Sequence, residues 1–252
     1  MSLTQVKALM LELKLTGMAN LSDRLIADAK KQNLTFEETL DVLLQAEADH
    51  RRRRRALHRI KLSRLKASAS FEDFDPHAKR SLTKTELREI MSLKWLQDSR
   101  PLVLIGQTGV GKTYLAQAAG LKACQEGHTV LFQSVTHWLE QQANARVLGS
   151  YLKFRDKMIR PNLLILDDFG MRKFTALEAE DFRDILEERS YGKSTLLTTQ
   201  LPLDHWSEVI PDPVLSEAIT DRLEGPAMIY KITGDSYRKT KAQKLAMEHK
   251  NH

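Results

Sequence analysis

The stretch Gly106-Gln107-Thr108-Gly109-Val110-Gly111-Lys112-Thr113-Tyr114 carries the most specific chemistry in the chain. Its spacing, Gly-x-x-x-x-Gly-Lys-Thr, is that of a phosphate-binding loop. Glycines let a backbone turn tightly and aim its N–H groups at phosphate oxygens, and the helix that follows adds the partial positive charge of its N-terminus. Lys112 is the residue to reach the β- and γ-phosphates, and the Thr113 hydroxyl the one to ligate Mg²⁺. The expected ligands are therefore ATP and Mg²⁺, cradled by residues 106–114.

A second group of polar residues fits the first. In "NLLILDDFG" an apolar run ends in Asp167 and Asp168. Paired carboxylates at the end of a buried strand call for something positive beside them. Asp167 is expected to hold the Mg²⁺, and Asp168 to orient or deprotonate an attacking water. In "STLLTTQLP" another apolar run ends in Thr198, Thr199 and Gln200. A strand beside the first could present a hydrogen-bonding group from these three to the γ-phosphate or the water, and the sequence leaves open whether Thr199 or Gln200 is the working one.

These groups need a scaffold that brings strand ends together. Apolar runs at 102–105, 130–132, 163–166, 195–199 and 228–232 alternate with helical stretches. That alternation predicts an α/β fold: a five-stranded parallel sheet flanked by helices. Residues 1–67 read differently. Leu3, Val6, Leu9, Met10 and Leu13 recur at helical spacing, Gly17 punctuates, and Thr35 with Glu38 forms a capping box before a helix that runs into the arginines. The expected organisation is a small all-helical domain over 1–67, a linker over 68–80, and the α/β domain over 81–252.

The net charge is +6, with 39 Lys and Arg against 33 acids. Nine basic residues and no acid lie in 51–66, so the remainder of the chain is net −3. Basicity this local marks a docking surface for a polyanion. Arg51, Arg52, Arg53, Arg54 and Arg55 advance about 100° each along a helix, sweep past a full turn, and so cannot all share one solvated face. A DNA backbone could accept them together with Arg59, Lys61 and Arg64. A salt-sensitive solvated helix, or a sleeve for acidic residues of a partner, is the alternative. Nothing resembles base-specific readout, so double-stranded DNA would be bound without sequence preference. "YLKFRDKMIR" (151–160) is either a second DNA-facing patch or an amphipathic helix, and Trp138 reads as core. The single cysteine, Cys124, sits among apolar residues as a buried thiol, which fits a reducing compartment. No apolar run approaches a membrane span, and no spacing suggests a structural metal. A cytoplasmic protein is expected.

The order of motifs adds a resemblance. Phosphate loop, Asp-Asp strand end, Thr-Thr-Gln strand end, "AITDRL" and "GDSYR" together resemble the AAA+ ATPases of the DnaC-type helicase-loader and DnaA clade. The N-terminal part, from "LKLTGMANLSDRL" through the arginine run to "FEDFD", is similar to IstB-like proteins, ATPase helpers of certain insertion sequences. The resemblance covers essentially the whole chain. It implies an AAA+ core with a minimal C-terminal lid, and places Gln200 at sensor 1, where asparagine is commoner. It implies that Arg222 is an arginine finger for a neighbouring subunit's ATP and that Arg238 is sensor 2. It further implies a homo-oligomer with ATP at its interfaces that assembles on and bends DNA, recruits the cognate transposase, and hydrolyses ATP. A DnaC-type replicative helicase loader is the rival.

Overall fold

The computed structural model describes residues 2–66, 69, 71 and 81–234. The chain divides into two compact units, Met1–His58 and Arg59–His252.

The first unit is helical: α1 (Leu3–Glu12), α2 (Thr16–Lys31) and α3 (Phe36–Ser63), the last continuing into the second unit. The capping box starting α3 is present, with Thr35 N donating to Glu38 Oε2 (2.7 Å) and Glu38 N to Thr35 Oγ1 (3.3 Å). The break between α1 and α2 falls at Leu13–Leu15, where Lys14 takes φ +60°. Gly17 therefore does not punctuate; it lies within α2. A Cβ there would stand 2.5 Å from His50 Cβ, so its task is to let α2 approach α3. Glu47 of α3 uses that proximity. Its carboxylate accepts from Gly17 N (2.6 Å) and Met18 N (3.2 Å), capping an α2 that has no side-chain cap of its own. Burial pushes the Glu47 carboxyl up, but Arg51 and those two amides outweigh it and hold it below the usual range. The apolar face of α1 buries little, since Leu3, Leu9, Leu11 and Leu13 are all exposed.

The second unit contains α4 (Lys84–Ser92), α5 (Lys94–Gln97), β1 (Leu102–Gly106), α6 (Lys112–Gln125), β2 (Val130–Ser134), α7 (Val135–Val147) and α8 (Tyr151–Ile159). It continues with β3 (Leu163–Phe169), α9 (Ala176–Ser190), β4 (Ser194–Thr199), a 3₁₀ turn (Leu203–Glu208), α10 (Pro213–Glu224) and β5 (Met228–Ile232). All five expected apolar runs are strands. They form one parallel sheet in the order β2-β3-β4-β1-β5.

Alternation along the strands splits the core into two layers. Val103, Ile105, Leu131, Leu164, Leu166 and Leu197 face the layer that holds Trp138, Phe154, Phe169 and Phe182. Leu102, Leu104, Val130, Leu163, Ile165 and Leu196 face the layer that holds Trp95, Leu115 and Cys124. Trp138 is thus core, as expected. Residues 151–160 form an amphipathic helix whose Phe154 and Met158 are buried. Cys124 is fully buried, and desolvation pushes its thiol up to about 11. Ile60 and Leu65 pack on the second layer, so the end of α3 belongs to this unit's core.

Candidate nucleotide site

The phosphate loop joins the end of β1 to the start of α6. Gly109 and Gly111 take φ of +91° and +107°, values at which a Cβ is strained. Gly106 is required for a different reason. A Cβ there would lie 2.1 Å from Ile232 O, so the loop begins where its strand is pressed against β5. Gly111 caps α6 without a side-chain contact, which leaves the first-turn N–H groups directed at the loop. Lys112 is buried, and its Nζ donates to Gly106 O (2.7 Å) and Gln107 O (3.0 Å), holding the ammonium across the mouth of the loop.

The strand ends converge on the same place. Thr113 Oγ1 donates to Asp167 Oδ1 at 2.9 Å. That link joins the two groups singled out as Mg²⁺ ligands, although 54 residues separate them. Asp167 is buried, and its desolvation, reinforced by Asp168, pushes its proton affinity up; Thr198, Thr113 and Lys112 only partly offset this. A hydroxyl and a buried carboxylate form a donor set of hard oxygens suited to Mg²⁺, which keeps several waters. Among the described residues no group of three or more His, Cys, Asp or Glu is arranged to hold a metal ion.

Asp168 has the next backbone position and the opposite exposure. The register of β3 on β4 shifts between Leu166 and Phe169, and Asp168 takes φ +58°. This bulge turns Asp168 out to solvent while Asp167 stays in. A non-glycine residue held in the left-handed region at a strand end is strain of the kind found at functional sites.

Thr198 holds the bulge together. Its hydroxyl donates to Asp167 Oδ1 and accepts from Asp168 N (3.0 Å). It therefore touches both carboxylate residues, whereas neither Thr199 nor Gln200 does so among the described contacts. The Thr199 hydroxyl lies 3.0 Å from Phe169 O and 3.1 Å from Leu201 O and accepts from Leu201 N (2.9 Å), serving the turn after β4. Gln200 is exposed on the rim, its Nε2 3.3 Å from Met171 Sδ. The sequence groups Thr198 with Thr199 and Gln200 but does not single it out. The signal was strand register: Leu166 pairs with Leu197, which sets the next residue of β4 abreast of Asp167.

Residues 8–245 match the family described as IstB-like ATP binding protein. The chain belongs to that family. An insertion-sequence ATP-binding protein of Sinorhizobium fredii is 34% identical over 230 residues, 91% of this chain and 94% of that protein. The insertion sequence IS21 ATP-binding protein of Pseudomonas aeruginosa is 30% identical over 247 residues, 98% of this chain and 93% of that one. A crystal structure of the DnaC helicase loader shares the fold, with TM-score 0.56, 21% identity, and 66% of this chain covering 97% of that one. The chain is thus a member of the family of IstB-like ATP binding proteins with the fold of a helicase loader.

Of the remaining expected site residues of this IstB-like chain, Arg222 lies away from the loop of its own unit. Arg222, on the last turn of α10, contributes to a cavity of about 70 Å³ with Pro101, Leu223 and Pro226. Pro101 precedes β1 and the phosphate loop follows it, so one strand length, about 16 Å for five residues, separates Arg222 from Lys112 of its own chain. Arg51 to Arg55 are all exposed. Arg51 does meet a neighbour beyond its own helix, its Nη2 donating to Lys14 O at 3.3 Å. Along this stretch α3 is buried only near Glu47 and Ala56, and long arginine stems carry their charge outward from there. Arg51 and Arg52 pair with Glu47 and Asp49 of the same helix. Lys61 and Arg64 are exposed, but Arg59 turns inward and donates to Cys124 O at 2.8 Å. Arg238 lies outside the described residues. Among the described residues no helix is long and apolar enough to cross a membrane.

Proposed function

We propose that this chain is a Mg²⁺-dependent ATPase that assembles with copies of itself on double-stranded DNA, bends it, and recruits the transposase of its insertion sequence. The observation that carries the reading is the meeting of Thr113, Asp167 and Thr198 in front of the Lys112 loop, in a chain whose relatives are insertion-sequence ATP-binding proteins. Mg²⁺ held by Thr113 and Asp167 would neutralise charge on the β- and γ-phosphates. The loop N–H groups and Lys112 bind and orient those phosphates. Asp168, turned out of the sheet at the strand end, holds the attacking water in line and takes its proton. Thr198 fixes both aspartates, and Gln200 lines the rim.

Arg222 completes the site of another subunit. A guanidinium at the opposite end of the sheet from its own phosphate loop serves a nucleotide presented by a neighbour. Arginine suits the task because it stays charged and binds phosphate oxygens through two N–H groups. ATP then ties assembly to hydrolysis. The exposed run Arg51–Arg55, with Lys61 and Arg64, supplies sequence-independent phosphate contacts.

Mixing tests the reading. Lys112→Ala and Arg222→Ala should each lack DNA-stimulated hydrolysis. Combined, they should recover part of it, because an intact loop on one meets an intact finger on the other. A mixture that co-assembles on DNA and stays inactive removes Arg222 from the trans site. Preference for single-stranded DNA and for a replicative helicase over the transposase would favour the loader reading.

A further inference from the structure

Arg222 does not stand alone. Its Nε donates to Glu187 Oε2 at 2.5 Å, its Nη2 lies against the same oxygen, and its Nη1 donates to Ala218 O at 2.7 Å. Glu187 comes from the C-terminal half of α9 and Arg222 from the last turn of α10, helices that pack on each other. Both side chains are half-exposed, 41% for Glu187 and 35% for Arg222. An exposed pair of this kind contributes little to stability. Its geometry matters more than its energy. One oxygen on Nε and Nη2 occupies the side edge of the guanidinium, and Ala218 O takes one hydrogen of Nη1. Each terminal nitrogen keeps an N–H, so the group stays able to bind two phosphate oxygens while its plane is fixed. An unsupported arginine would sample many rotamers and have to be ordered on every encounter.

We infer that Glu187 is the positioning residue of Arg222, aiming the guanidinium at the γ-phosphate held by the neighbouring subunit. The inference rests on the reading of Arg222 as a finger acting in trans. It adds that the finger is pre-set inside the subunit that donates it, by a carboxylate that touches neither nucleotide nor metal. Glu187 does not compete with the phosphate, because it grips the edge the phosphate does not need. Losing the grip leaves the charge in place and misplaces it by a rotamer, and a misplacement of about 1 Å at a reacting centre can cost about 100-fold.

The test places the substitution on one subunit at a time. Finger donors carry Lys112→Ala, so they hydrolyse nothing themselves; receivers carry Arg222→Ala. The parent mixture is measured first, and its recovery of hydrolysis shows that the trans finger exists. Glu187→Ala is then added to donors or to receivers. On donors it should lower kcat about tenfold or more, with KM for ATP unchanged, since the receiver's loop binds the nucleotide. On receivers, which have no finger to aim, it should change neither constant. Glu187→Gln on donors, which keeps an acceptor for Nε–H, should restore part of the rate. An equal loss in both placements would make Glu187 a structural residue of the α9–α10 pair and overturn the inference. A rate increase on donors would make it a restraint instead, and would overturn it too. If the parent mixture itself stays inactive, the reading of Arg222 fails and the inference falls with it.

Discussion

Replacing Thr198 with valine removes one hydroxyl and almost no volume, at the point where both aspartates are fixed. The oxygen makes two bonds, donating to the buried Asp167 carboxylate and accepting from Asp168 N at 3.0 Å. A bond to a charged group is worth about 1.5–3 kcal/mol and a neutral one about 0.5–1.5, so about 2–4 kcal/mol of local order is at stake. Valine also leaves the Asp168 N–H without its partner in a strained backbone, so the bulge relaxes and the carboxylate leaves its line to the water. If about 2 kcal/mol of this reaches the barrier, turnover falls about 30-fold. Nucleotide affinity should change by less than about threefold, because the loop and Lys112 are untouched and Thr113 still engages Asp167. Phosphate release at saturating Mg²⁺ and ATP, with duplex DNA present, reads the rate; titration with a fluorescent ATP analogue reads the affinity. Thr198→Ser, which keeps the hydroxyl, should stay near the parent. A Thr198→Val protein that folds, binds ATP and hydrolyses it within about twofold of the parent would refute the assignment of the bridging hydroxyl.

Asp168→Asn keeps a residue that tolerates the left-handed backbone, so melting should be unchanged while hydrolysis drops about 100-fold or more and ATP-bound complexes persist on DNA in a gel-shift time course. Gly106→Ala drives a Cβ into Ile232 O, a backbone atom that cannot step aside. A loss of about 3 kcal/mol in a urea titration, with ATP binding abolished, is expected. Serine at positions 51–55 should lower the slope of log affinity for duplex DNA against log salt by about 0.9 for every phosphate contact removed, whatever the DNA sequence. The Glu47 carboxyl is held below its ordinary range, so its contribution is complete above the unfolded value of about 4.3 and is lost as pH falls through the lowered folded value. Glu47→Gln should therefore destabilise the helical unit at neutral pH and flatten its acid transition, as followed by circular dichroism.

The phosphate loop, the Asp-Asp strand end and all five strands were legible because each is a local pattern. Glycines at fixed spacing, apolar runs of strand length and a capping box need no knowledge of the rest of the chain. What stayed hidden depends on distance or on register. Thr198 stands out only when β4 is laid against β3, and the bulge at Asp168 leaves no mark in composition. Gly17 looked like a break between helices because the close approach of His50, 33 residues on, cannot be seen locally. Nothing in the sequence around Arg222 points to Glu187, which the fold brings from 35 residues away. For the arginine run, helix geometry gives the sweep of side chains, but not how little of the helix the chain itself covers.

The sheet order has a consequence for how the protein is made. β1 lies between β4 and β5, and its own loop begins against Ile232, the last residue of β5. A chain emerging from the ribosome therefore extends 88 residues past Gly106 before β4 begins and 122 before β5 begins. Parallel pairing over such separations is slow, and it cannot start early. ATP capture becomes a report that synthesis has passed β5. A fragment cut short by a premature stop before Met228 would lack the contact that seats Gly106, and so could not enter an assembly through its nucleotide.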